Sequence, residues 1–89
     1  MTEEEKSLQL GRRIRQLRES KGLTQDSFGV ALGIAASTIS KYERGDFSPT
    51  TNFLEKLYQA FGVNLHWLIT GEKDTSIEGA RIKDDSARR

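Results

Sequence analysis

Cysteine is absent from this chain of 89 residues, and histidine and proline each occur once. Without cysteine there is no disulfide framework, no thiol nucleophile and no zinc finger. That composition is compatible with a reducing, cytoplasmic compartment. The lone His66 offers no metal-ligand spacing. A catalytic triad would need it beside a hydroxyl and a carboxylate in a cleft that excludes water, and it falls instead in a short stretch that reads as a terminal surface helix. The segment GDFSPTT lacks the lysine and the spacing of a P-loop. No apolar run is long enough to span a bilayer, and the acidic N-terminus MTEEEKS has no apolar core of the signal-peptide kind. The expectations are no enzyme activity, no metal, no cofactor and no membrane.

Charge of one sign is also missing in bulk. The formal net charge is +1, with 35% hydrophobic and 30% charged residues, which fits one small globular domain with charged ends. So small a domain buries limited surface, and all-helical packing is the economical arrangement. Distribution is more telling than the sum. Arg12, Arg13, Arg15, Arg18 and Lys21 cluster just downstream of Glu3, Glu4 and Glu5. For Arg12, Arg13 and Arg15 the plain reading is a solvated helix face, the other a basic patch.

Residues 25 to 44, QDSFGVALGIAASTISKYER, carry the clearest pattern. Phe28 and Leu32 are i,i+4 on one short helix, and Ile39 and Tyr42 are i,i+3 on the next, with Ile34 between them. Gly29 permits close approach, and Gly33 suits a left-handed turn. Two short helices crossing steeply need this combination of apolar seam, bare contact point and tolerant turn, which is the pattern of a helix-turn-helix. A hairpin that serves packing alone is the plainer alternative.

Around this motif the spacing predicts three more helices. The first runs over 7–21, with Ser7 as N-cap, a stripe of Leu10, Ile14, Leu17 and a snorkelling Lys21, and Gly22 at its end. Thr24 caps the second, which ends at Gly33. The third runs from about Ala36 to Arg44 and stops at Gly45, with Ala35 where a capping hydroxyl is expected. After the loop Asp46–Pro49, Thr50 or Thr51 caps a fourth helix in which Leu54, Leu57, Tyr58 and Phe61 follow i,i+3,i+4,i+7. Asn64 caps a fifth carrying Leu65, Leu68 and Ile69 and ending at Gly71, with Trp67 as a core or interface aromatic. The domain organisation is a flexible N-terminus over 1–6, a helical domain over 7–71 and a charged tail or linker over 72–89. A short strand over 76–83 is the alternative for the tail.

Four segments together resemble the Cro/repressor-type (Xre-like, lambda-repressor-like) helix-turn-helix family: LGRRIRQLRESKGLTQDSF, ALGIAASTISKYERG, the Pro49 that follows Gly45-Asp46-Phe47-Ser48, and LYQAFGVNLHWLITGE. The resemblance covers about residues 8 to 71. It implies an all-α fold, a compact bundle of five helices, and sequence-specific binding of double-stranded operator DNA, mostly as a homodimer. Carried over by position, it implies that Gln25 contacts DNA, commonly through phosphate. Ala36, Ser37 and Lys41 would face base edges, with Thr38 and Ser40 beside them. Arg44 would touch the backbone, and Arg18 and Glu43 would form a structural ion pair. Three positions depart from the pattern. Ala35 and Ala36 replace the usual polar cap and longer polar reader, and Gly29 stands where alanine is usual.

Groove chemistry gives these positions roles. Lys41 can donate to guanine O6 or N7, Ser37 can donate or accept, and the Ala36 methyl can pack on a thymine methyl. One short helix reads only a few base pairs, so two copies on a near-palindromic site are expected, with Val63, Leu65 and Trp67 as candidate dimer residues. Two further readings use the same fold: a protein-binding regulatory module, such as an antitoxin or adaptor, presenting Tyr58, Trp67 or the tail, and the N-terminal DNA-binding head of a longer repressor.

Overall fold

Thr2 and Glu5 close a capping box at the start of the first helix. The Thr2 hydroxyl accepts from the Glu5 amide at 3.1 Å, and the Glu5 carboxylate accepts from the Thr2 amide at 2.9 Å. In the computed structural model, which describes residues 2–73, five helices follow in order: α1 Glu3–Ser20, α2 Gln25–Leu32, α3 Ala36–Arg44, α4 Thr51–Phe61 and α5 Leu65–Thr70. The fold is all-α, as expected.

The start of α1 corrects the sequence expectation. The spacing predicts a flexible stretch over 1–6 and a helix capped by Ser7, but the T-x-x-E capping box satisfies the first amides a full turn earlier, and three glutamates favour the positive end of the helix. Ser7 sits within the helix, with its hydroxyl 2.7 Å from that of Ser48. Lys21 also differs. It is exposed at the C-cap, and its expected place on the buried stripe is taken by Arg18, next to Ile14 and Leu17. The remaining helix ends agree with their caps. Thr24, Thr50 and Asn64 accept from the backbone amides of Ser27, Phe53 and Trp67 at 3.0, 3.1 and 3.1 Å. Gly33, Gly45, Gly62 and Gly71 end α2 to α5 in left-handed conformation.

The core draws on every helix. Ile14, Phe28, Ile39, Leu57 and Leu68 are fully buried, with Phe53 almost so, and Leu17, Leu32, Tyr42 and Val63 complete the cluster. Two aromatic pairs fasten α4 to the helix-turn-helix: Phe28 stacks on Phe61 with centroids 5.5 Å apart, and Tyr42 tilts against Phe53 at 4.6 Å. The tail reading, with its alternative strand over 76–83, lies outside the described residues from 74 onward.

Candidate nucleic-acid interface

The sequence of α3 gives it two unlike faces. Ile39, Tyr42 and Glu43 point into the bundle. Ser37, Lys41 and Arg44 are exposed, and Ser40 is partly so. These last four follow i,i+3,i+4,i+7 and therefore line up as one polar ridge along the helix. Ala36 and Thr38 are half-buried on its flanks.

The ridge is held outward by close backbone packing at both ends of α3. At the start, Gly29 lies against the incoming turn. A methyl group at Gly29 would overlap the Ile34 carbonyl oxygen and come within 3.4 Å of the Ala36 nitrogen. The Ile34 amide donates to the Gly29 carbonyl at 2.9 Å, so the turn folds back onto its own helix. At the end, Gly11 of α1 faces the last turn of α3. A methyl there would overlap the Tyr42 carbonyl oxygen and lie 2.7 Å from that of Glu43.

A buried ion pair fixes the inner face. Arg18 donates from Nε to Glu43 Oε2 at 2.7 Å and from Nη2 to Oε1 at 3.1 Å. Its Nη1 donates to the Leu23 carbonyl at 2.8 Å, which ties in the turn before α2. The Glu43 hydrogen bonds, opposed by burial, raise the Arg18 pKa above the ordinary arginine value. Gln25 joins this network: its Nε2 donates to Glu43 Oε1 at 3.1 Å. The side chain is thus pinned at the start of α2, with its second N–H left for another acceptor.

The basic cluster of α1 divides by role. Arg18 is structural. Arg13 clamps the end of α5, donating from Nε to the Leu68 carbonyl at 2.6 Å and from Nη2 to that of Ile69 at 3.0 Å. Arg15 pairs with Glu19 at 3.0 Å on the surface, and Arg12 is exposed. The solvated-face reading therefore fits Arg12 and Arg15 but not Arg13.

On the outer face the two cations of the ridge are both engaged by the loop after α3. The Arg44 Nη2 lies 2.9 Å from Asp46 Oδ2, and its Nη1 donates to the Ser40 hydroxyl. The Lys41 ammonium sits 5.4 Å from the centroid of the Phe47 ring. Among the described residues Lys41 forms no salt bridge. The first backbone N–H groups of α3 lack a side-chain cap, since Ala35 has none to offer. The face therefore presents hydroxyls, an ammonium, a guanidinium and free amides, a donor-rich surface on a convex rod.

The sequence-predicted site residues split accordingly. Ser37, Ser40, Lys41 and Arg44 come together, Ala36 and Thr38 border them, and Gln25 is joined to the Arg18–Glu43 pair. Phe47 and Asp46, expected only as loop residues, lie against Lys41 and Arg44. The available signal was an aromatic residue in a loop, off any core stripe. Other chemistry is thin: no group of three His, Cys, Asp or Glu that could hold a metal occurs among the described residues. No helix there is long and apolar enough to cross a membrane.

Comparison with known proteins places the chain in a family. The helix-turn-helix family model HTH_3 matches residues 14–68. The HTH-type transcriptional regulator DicA of Escherichia coli is 37% identical over 71 residues, which cover 80% of this chain and 53% of DicA. The uncharacterized HTH-type transcriptional regulator YazB of Bacillus subtilis is 36% identical over 63 residues, 71% of this chain and 91% of YazB. The HTH-type transcriptional regulator SinR of Bacillus subtilis is 32% identical over 71 residues, 79% of this chain and 64% of SinR. The chain thus spans about half the length of DicA and nearly all of YazB.

Proposed function

The chain belongs to the helix-turn-helix family of HTH-type regulators, not to an enzyme family, and on that premise we propose that it is a cytoplasmic transcriptional repressor. It binds a near-palindromic operator in double-stranded DNA as a homodimer. The observation that carries this reading is the outward ridge of Ser37, Ser40, Lys41 and Arg44, backed by the buried Ile39, Tyr42 and Glu43.

A rod with that ridge fits the major groove, where each base pair shows its own pattern of donors, acceptors and methyl groups. Lys41 donates to guanine, Ser37 reads as donor or acceptor, and Ala36 borders the groove with a methyl. Thr38 and Ser40 flank these contacts. Arg44 and the second N–H of Gln25 reach phosphate, which sets register without reading sequence. Arg18 and Glu43 stay in the scaffold. Bound across a promoter, such a dimer represses by exclusion.

The dimer surface needs revision from the sequence expectation. Val63 is buried in its own core at 7% exposure and cannot serve. Leu65 and Trp67 are half-buried and remain available for a second copy.

Selection of bound duplexes from a random DNA pool tests the proposal. Two inverted half-sites centred about 34–36 Å apart, or a multiple of that, are the expected product. Binding should weaken steeply with salt as counterions are released. Enrichment of nothing, or binding indifferent to salt, would favour the protein-binding module instead.

A further inference from the structure

We propose that Phe47 is a positioning residue for Lys41, so that the loop after α3 presets how the ridge reads sequence; this rests on the DNA-binding reading above. Phe47 is 55% exposed and belongs to no core cluster. The Lys41 ammonium sits over the face of this exposed ring, 5.4 Å from its centroid. That lies within the range where the ring quadrupole attracts a cation.

The loop that carries the ring is held on both sides. Upstream, Gly45 is wedged against the Leu8 backbone, the Asp46 amide donates to the Lys41 carbonyl at 3.0 Å, and the Asp46 carboxylate grips Arg44. Downstream, Ser48 meets the Ser7 hydroxyl and Pro49 stiffens the exit. The loop is thereby tied to α1 and to the end of α3, which sets the Phe47 backbone beside the ridge.

The consequence is selectivity. A lysine side chain turns about four flexible torsions and swings easily to the nearest phosphate, a contact that carries no sequence information. Stacked on Phe47, the ammonium has fewer rotamers to lose on binding and is biased toward one position. The chain then gains discrimination at the base pair under Lys41 more than it gains overall affinity.

A double-mutant cycle on the full chain tests this, using the duplex recovered from the random pool and the same duplex changed at the base pair that Lys41 reads. Phe47→Leu should cut the discrimination between the two about three- to five-fold, while binding to unrelated duplex holds or rises. Phe47→Trp should restore it. In a Lys41→Ala background, Phe47→Leu should change nothing further. In the free chain, the ε-methylene protons of Lys41 should show an upfield ring-current shift that Phe47→Leu abolishes. An effect of equal size with and without Lys41 would overturn the proposal by making Phe47 a DNA contact in its own right. No effect in either background, or no ring-current shift, would overturn it as well. A wild-type chain without sequence preference would instead remove the DNA-binding reading, and the inference with it.

Discussion

Arg18 and Glu43 face each other across the interior with two hydrogen bonds of 2.7 and 3.1 Å, joining α1 to α3. Both are buried, at 9% and 8% exposure. Removing one partner strands the other charge in the core, and Arg18→Ala should destabilise the fold by about 3–5 kcal/mol in chemical denaturation. Sequence preference among the duplexes still bound should hardly change. The Arg18 pKa is raised in the fold, so its contribution is fully present below the ordinary arginine value. It is lost only as pH climbs through the raised one. Stability should therefore show no loss from this group between neutral and moderately alkaline pH.

Gly11 packs its bare Cα against the carbonyls of Tyr42 and Glu43. Gly11→Ala should gain up to ~1 kcal/mol in helix propensity. The overpacking against rigid backbone costs about 1–3 kcal/mol and should win. A lowered denaturation midpoint is the expected readout, with the weakest amide protection in the last turn of α3.

How much was legible beforehand follows from the range of each interaction. The bounds of α2 to α5 could be read locally, since Phe28/Leu32, Ile39/Tyr42 and the capping residues Thr24, Thr50 and Asn64 lie within a few residues of what they organise; in α4 Leu57 of the expected stripe is buried, but Tyr58 is 57% exposed and Phe53 fills the core instead. The start of α1 was written just as locally in Thr2 and Glu5, but three adjacent glutamates resembled a solvated end. The Gly11 contact, the Gln25 tie to Glu43 and the Arg13 clamp on α5 depend on tertiary approach. No spacing in the chain encodes them. The ridge itself was legible because the resemblance supplied positions and the helical period supplied the face.

Arg13 clamps the short α5, whose six residues could not stay helical alone. Arg13→Gln removes a charged donor from two carbonyls and should cost about 1–3 kcal/mol. The loss should appear first locally, as faster amide exchange at Leu68 and Ile69 and a change in Trp67 fluorescence before global unfolding.

Ala35 occupies the N-cap of α3 in an extended conformation with no side-chain hydrogen bond. Ala35→Ser places an acceptor near the Thr38 amide. It should stabilise by about 1 kcal/mol, read as a rise in melting temperature of about 4–8 °C.

The ridge on α3 is tested by binding of the wild-type chain and Lys41→Ala, side by side over a salt series, to the duplex selected from a random pool and to a scrambled one. Loss of about 1–3 kcal/mol on the selected duplex, with relaxed preference at a single base pair and little change on the scrambled one, is the expected result. Equal affinity and unchanged preference for the two chains would contradict it.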